Sequence, residues 1–130
     1  MIRQRIDALA AELYTALRER RTLKPLTERE PDITIEHAYE ISSAILERRL
    51  RDGERVIGKK IGVTSKAVQD MLGVFQPDFG FLTDRMLFPD ASTISLSKAG
   101  LIQPRAEGEI AFVLHRTEDV AWVERLERSR

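Results

Sequence analysis

The chain has 130 residues, and its 21 Lys and Arg residues balance its 21 Asp and Glu residues, so the formal net charge at pH 7 is zero. The chain therefore lacks the excess of positive charge that is typical of proteins binding nucleic acid or anionic lipid. Because it contains no cysteine, it cannot form disulfides, thiolate nucleophiles or Cys-type zinc sites. The longest apolar run, residues 110–114, is too short for a membrane span or a signal-peptide core, so we expect a soluble, globular and cytoplasmic protein.

The first 52 residues contain no glycine and are predicted to be helical. A first amphipathic helix has apolar residues spaced by three and four positions along one face: Ile2, Ile6, Leu9, Leu13 and Leu17. A loop bounded by Pro25 and Pro31 leads to a second helix. Thr34 is its predicted N-cap, and the sequence Asp52–Gly53 is predicted to end it.

The residues from about 54 onward contain glycine, proline and β-branched residues, a composition that predicts strands and turns. A first strand is predicted at 55–63 and a short helix from Thr64 or Ser65 to Gly73. Residues 76–80 are predicted to form a turn. Short strands are then predicted at three places: 81–82, 86–88 and 93–96.

The last part of the chain contains the strongest strand candidate, residues 102–114, in which apolar residues alternate with polar ones after Pro104. Residues 117–130 carry apolar residues at helical spacing among mixed charges and are predicted to form a short amphipathic helix.

Lys60 is the first candidate for a functional residue. Successive side chains of a strand point to opposite faces, so Gly58 and Gly62 are its neighbours on the same face and leave the surface beside it open. Glycine within a strand often marks a place where a ligand approaches the backbone. A surface lysine on a strand loosened by glycine explains the same pattern, and the spacing alone does not decide between the two.

Glu107 and Glu109 form the second candidate site. They are separated by one residue on a predicted strand, so both point to one face, with Arg105 before them. Two neighbouring carboxylates repel each other unless a cation lies between them, and Mg²⁺ or Mn²⁺ accepts oxygen ligands. A third protein ligand is usually needed. A solvated polar face, with Arg105 neutralising one glutamate, is the alternative.

Asp78 is the third candidate, within the predicted turn at 76–80. Aspartate commonly caps such turns, and a role in proton transfer requires a nearby pocket, which the sequence does not show. The two histidines are isolated: His37 lies in the first turn of a predicted helix and His115 at the end of a predicted strand. We interpret both as structural or exposed.

Three motifs occur in a fixed order: GKKIGVTS at 58–65, QPDFG at 76–80 and QPRAEGEIAF at 103–112. Together they resemble the 2-hydroxypenta-2,4-dienoate hydratases (2-oxopent-4-enoate hydratases) of aromatic meta-cleavage pathways. These enzymes are relatives of 4-oxalocrotonate decarboxylase in the fumarylacetoacetate hydrolase superfamily. The resemblance covers roughly residues 1–114, and the QPDFG block favours hydratase over decarboxylase.

The resemblance implies a divalent cation, Mg²⁺ or Mn²⁺, held by Glu107, Glu109 and a third acidic ligand. It implies that Lys60 stabilises the dienolate electrostatically and that Asp78 transfers a proton or orients the attacking water. The implied reaction ketonises a small 2-hydroxydienoate and adds water to the remaining double bond, which produces 4-hydroxy-2-oxopentanoate. The family also implies a homo-oligomer, and the zero net charge argues against nucleic-acid and membrane partners.

The chain departs from this family after Leu114, where the resemblance stops. Family members are about twice as long, and their third acidic ligand lies downstream in a segment that this chain does not have. Glu118, Glu124 and Glu127 lack the expected context, so we assign none of them this role. We expect either a truncated gene product with an unrelated tail, which we favour, or a short protein that completes its site by oligomerisation.

The predicted fold class is α+β: N-terminal helices followed by the first strands of a fumarylacetoacetate hydrolase-like mixed β-roll, which is incomplete. The predicted regions are a helical region at 1–53, the first part of the β-roll hydratase domain at 54–114, and a divergent tail at 115–130. The predicted function is this hydration, either active in the chain as given or lost in a truncated, inactive form of the enzyme. Two alternatives stay open. One is 4-oxalocrotonate decarboxylase, and the other is a non-catalytic fragment that associates with an intact relative or with the decarboxylase.

Overall fold

The computed structural model describes residues 1–114, which form four α-helices and a two-stranded sheet. The elements in chain order are α1 (Arg3–Arg18), α2 (Leu26–Arg29), α3 (Ile35–Arg51), β1 (Val56–Gly62), α4 (Lys66–Leu72), β2 (Asp78–Thr83) and a 3₁₀ turn (Asp84–Met86). The predicted α+β class is confirmed. No helix within residues 1–114 is long and apolar enough to cross a membrane.

The core lies between α1 and α3, the two helices that the apolar spacing predicts. Ile6, Leu9 and Ala10 of α1 are completely buried against Ile41 and Ala44 of α3. Burial of a side chain as large as isoleucine or leucine contributes roughly 1.5–3 kcal/mol. This packing therefore holds α1 and α3 together.

The predicted start and end of α3 are confirmed. The Thr34 side chain accepts a hydrogen bond from the His37 backbone N–H, and His37 Nδ1 accepts one from the Thr34 N–H, which together form a reciprocal cap. His37 Nε2 also lies 2.8 Å from the Met1 amino group. His37 is thus structural, as predicted. The helix ends before Gly53, whose φ of +84° suits glycine.

The predicted short helix is confirmed as α4. Ser65, one of the two predicted caps, accepts a hydrogen bond from the Val68 N–H at 3.3 Å. Gly73 ends the helix with a φ of +68°. This helix connects β1 to β2, so the two strands can pair as antiparallel neighbours.

The sheet is an antiparallel pair in which Lys60 lies opposite Gly80 and Gly62 lies opposite Asp78. The predicted first strand is confirmed. A register shift between Val56 and Gly58 interrupts the pairing at one end. From Gly58 onward the alternation of the two faces is regular.

Several strand and turn predictions are wrong. The predicted turn at 76–80 ends at Pro77, because Asp78 already pairs with β1 and begins β2. The predicted strands at 86–88, 93–96 and 102–114 are not formed, and part of the first is the 3₁₀ turn. A strand needs a neighbour for its backbone groups, and within residues 1–114 only β1 and β2 pair with each other.

Two further predictions concern the loop and the tail. The loop between Pro25 and Pro31 contains the four-residue helix α2, which the spacing of apolar residues does not indicate. The predicted helix at 117–130, together with His115 and the divergent tail at 115–130, lies outside the described residues.

Glu54 connects the helices to the sheet. Its side chain is completely buried and accepts hydrogen bonds from Thr83 Oγ1 at 2.6 Å and Arg49 Nη1 at 2.9 Å. The other carboxylate oxygen is buried without a hydrogen bond and faces Arg18 Nη1 at 3.9 Å. Arg18 belongs to α1, Arg49 to α3 and Thr83 to β2, so one carboxylate contacts three elements.

The environment of Glu54 changes its pKa through opposing effects. Burial raises the pKa, but the hydrogen bonds from Thr83 and Arg49, together with the positive charge of Arg49, bring it below the ordinary value of 4.5. A lowered pKa in the folded state means that protonation favours unfolding. The stabilising effect of the carboxylate is therefore complete above pH 4.5 and is lost as the pH falls through the folded-state pKa.

We predict that Glu54→Gln lowers the free energy of unfolding by about 2 kcal/mol at pH 7, because the amide cannot carry the charge that pairs with Arg49. The difference from the wild type should shrink as the pH falls below about 4.5. Urea unfolding monitored by circular dichroism across this range measures both effects. Glu47→Gln, at an exposed glutamate on α3, serves as the control, and a pH-independent difference for Glu54→Gln would contradict the prediction.

Candidate active site

Lys60 lies on a surface where its neighbours are glycines, which have no side chains. It is exposed on β1, Gly58 and Gly62 flank it along the strand, and Gly80 lies directly opposite on β2. The Lys60 stem is therefore bordered by glycine on three sides. The first two glycines follow from strand alternation, whereas Gly80 follows only from the register of a hairpin that the sequence does not specify.

Asp78 lies on the same face of the sheet as Lys60. It is paired with Gly62, two positions along β1 from Lys60, and opposed residues of an antiparallel pair share a face. Diagonal neighbours of this kind are about 7–8 Å apart, within reach of long side chains. No hydrogen bond or ion pair joins Lys60 to Asp78 directly within the described residues. Two of the predicted site residues are thus brought to one exposed surface, the Lys60 face.

The opposite face of the sheet contacts α3 through one aromatic stack. Phe79 of β2 stacks on Tyr39 of α3, with ring centroids 4.5 Å apart and planes inclined by 14°. Lys59 of β1 lies over the Phe81 ring, 5.9 Å from its centroid. The aromatic side of the hairpin is therefore held by α3, and the Lys60 face points away from this contact.

Glu107 and Glu109 are not assembled with the other candidates. Both are exposed, and they lie in a segment that forms no helix or strand. The part of the chain from 1 to 114 contains no group of three or more His, Asp or Glu side chains that could hold a metal ion. The two carboxylates are the donors that a hard cation prefers, but the described residues do not by themselves form such a site.

One groove between the helices is separate from these residues. It has a volume of about 410 Å³ and lies between α1 and α3, where both cations and carboxylates line it. None of Lys60, Asp78, Glu107 or Glu109 contributes to it. The four candidate residues therefore lie on exposed surface outside this groove.

Comparison with curated proteins finds close relatives over most of the chain, although no family model matches. The chain is 61% identical over 114 residues to 2-hydroxyhexa-2,4-dienoate hydratase of Comamonas testosteroni, covering 88% of this chain and 43% of the relative. It is 61% identical over 111 residues to 2-hydroxypent-2,4-dienoate hydratase of Pseudomonas putida, covering 85% and 50%. A 2-keto-4-pentenoate hydratase of Paraburkholderia xenovorans is 46% identical over 119 residues. The chain spans about half the length of the curated relatives it matches.

Solved structures of one enzyme are also similar. A 4-oxalocrotonate decarboxylase from Pseudomonas putida G7, complexed with calcium and acetate, matches with a TM-score of 0.74 and 30% identity over 78% of this chain and 39% of that one. The same enzyme complexed with magnesium and adipate matches with a TM-score of 0.62 and 31% identity, covering 65% and 32%. The structural similarity therefore also covers only part of the solved decarboxylase chains.

We predict that Tyr39→Ala lowers the free energy of unfolding by about 1–2 kcal/mol, because it removes the ring that stacks on Phe79. If the substitution increases the amide hydrogen exchange rate more in β2 than in α1, the hairpin is the part that loses its contact with α3. Glu40→Ala, at the exposed next position on α3, is the control. Unchanged exchange in β2 would contradict a role for Tyr39 in holding the sheet.

Proposed function

Because this chain belongs to the family of 2-hydroxypentadienoate hydratases and spans about half of its relatives, we propose that it carries part of the active site of such an enzyme. The reaction is the metal-dependent hydration of 2-hydroxypenta-2,4-dienoate to 4-hydroxy-2-oxopentanoate in aromatic meta-cleavage catabolism. In this proposal residues 1–53 are the helical support and residues 54–114 are the first part of the β-roll domain.

The observation that carries the proposal is the placement of Lys60 and Asp78 on one exposed face of the hairpin. Hydration of a dienol acid requires a positive charge near the oxygen that becomes anionic and a group that moves protons. A lysine and an aspartate on one surface supply both. The identity of 61% to dienoate hydratases supports assigning this chemistry to this surface.

The proposed roles follow from the charges of the two groups. The Lys60 ammonium stabilises negative charge on the 2-oxygen as the 2-hydroxyl proton leaves and carbon is protonated. Asp78 accepts the proton released when water adds its hydroxyl group to the remaining double bond, and the other carbon of that bond receives a proton. Gly80, directly opposite Lys60 on β2, leaves room for a small planar substrate to approach the lysine.

We also propose that Glu107 and Glu109 supply two carboxylates to a divalent cation, Mg²⁺ or Mn²⁺. The matched decarboxylase structures were complexed with magnesium or calcium, which supports a hard cation bound through oxygen. The cation would polarise the substrate's oxygens when bound. Since the residues up to 114 provide no group of three metal-ligating side chains, at least one further ligand has to come from elsewhere.

Two other functions are each favoured by one observation. The similarity to the decarboxylase structures favours decarboxylation of 4-oxalocrotonate, but the identity is only 30–31%, against 61% for the hydratases. Ile110, Phe112 and Val113 are 84%, 83% and 95% exposed. Such exposure favours a non-catalytic segment that associates with an intact relative or with another copy of itself.

We predict that the chain with saturating Mg²⁺ consumes the dienol, followed by loss of its ultraviolet absorbance, and that Lys60→Met lowers kcat/KM by about 10²–10³-fold. Lys59→Met, on the opposite face of the same strand, should retain most of the activity. Release of carbon dioxide from 4-oxalocrotonate would instead indicate the decarboxylase.

We further predict that Mg²⁺ raises the midpoint of thermal unfolding and that Glu107→Gln and Glu109→Gln each reduce this shift. The control is Glu40→Gln, on α3. If saturating Mg²⁺ gives neither a thermal shift nor turnover, the hydratase proposal fails for this chain and the non-catalytic alternative is supported. Self-association or binding to a full-length hydratase, measured by analytical ultracentrifugation, would then be expected.

A further inference from the structure

Gly62 is the place where the Asp78 side chain lies directly against the backbone of β1. A Cβ atom added at Gly62 would come well within 3.0 Å of Asp78 Oδ1, a separation that real Cβ atoms essentially never show. The φ angle of Gly62 is not in the left-handed region, which Gly53, Gly73 and Gly100 occupy. The backbone conformation would therefore accept alanine at this position, and the new methyl group would displace the carboxylate at the end of the exposed Asp78 side chain.

The other two glycines beside Lys60 differ from Gly62. A Cβ at Gly58 would meet Leu82 Cδ1 at 3.7 Å, and a Cβ at Gly80 would meet Lys60 Cγ at 3.7 Å. Both are ordinary van der Waals contacts, and neither glycine has a positive φ. Of the three glycines around Lys60, only Gly62 is required by a close approach.

We propose that Gly62 is a positioning residue: the absence of a side chain there lets the Asp78 carboxylate lie across β1 on the same face as Lys60. An alanine at position 62 would turn the carboxylate away from the strand, or push the two strands apart. The consequence for catalysis rests on the proposed function, in which Asp78 moves a proton. Misplacing a reacting group by about 1 Å can cost 10²-fold in rate.

The kinetic test compares Gly62→Ala with Gly58→Ala, since both add one methyl group beside Lys60 on the same strand. We expect Gly62→Ala to lower kcat at least tenfold while KM changes by less than about threefold, because Asp78 acts on the transition state. Gly58→Ala should keep kcat within about threefold of the wild type. In an Asp78→Ala background, Gly62→Ala should cause no further loss.

The proposal is overturned if Gly62→Ala keeps the kcat of the wild type. It is also overturned if the losses from Gly62→Ala and Asp78→Ala multiply in the double variant, since independent effects would mean that Gly62 does not act through Asp78.

A spectroscopic test decides the placement of Asp78 without turnover. The carboxylate ¹³C signal of Asp78, assigned by its loss in Asp78→Ala, should shift in Gly62→Ala and stay in place in Gly58→Ala. An unchanged signal in Gly62→Ala overturns the proposal. If the wild type shows no turnover but this signal shifts, the proposed function has failed while the positioning by Gly62 stands.

A folding control covers the case in which Gly62→Ala does not fold. The double variant Gly62→Ala/Asp78→Ala lacks the carboxylate that the new methyl group would meet. If only the double variant folds, the conflict lies between these two positions, as proposed. If neither folds, Gly62 is needed for another reason and the proposal is overturned.

Discussion

The hydrogen bonds of the buried Glu54 carboxylate determine where the sheet sits. Glu54 lies two residues before β1, and its partner Thr83 is the last residue of β2. The 2.6 Å bond between them closes the open end of the hairpin, and the 2.9 Å bond from Arg49 attaches that end to α3. The Tyr39–Phe79 stack attaches the other end. Both ends of the hairpin thus contact α3, and Lys60 lies on the face of the sheet opposite to the Tyr39–Phe79 stack.

The helical half could be predicted from the sequence because its signals are local. The spacing of apolar residues identifies the buried faces of α1 and α3, and the ends of α3 follow from Thr34 and Gly53. The hairpin depends on contacts between distant residues, and there the prediction was only partly right. Pro77 and Gly80 predict a turn around Asp78, but pairing with Gly62 places Asp78 in a strand. The pairing of β1 with β2 thus outweighs the turn preference of Pro77 and Gly80.

The candidate site likewise depends on both local sequence signals and contacts between residues that are distant in the chain. The residue types at Lys60 and Asp78 and their spacing are visible in the sequence, but their common face requires the register of β1 and β2. The segment 102–114 shows the converse case. Its alternating pattern is typical of a strand, but a segment forms a strand only when another strand is available to pair with its backbone. The assembly of Glu107 and Glu109 with Lys60 and Asp78 therefore stays a prediction.

The close approach of the Asp78 carboxylate to Gly62 links two positions that are sixteen residues apart in the chain. This link acts in one direction in sequence evolution. Position 78 can lose its carboxylate without any effect on position 62, whereas a side chain at position 62 displaces a carboxylate that is kept at position 78. Among homologues that use an aspartate at this point of the hairpin, glycine should therefore be favoured at the facing position, and a side chain there should accompany a change in the reaction or its loss.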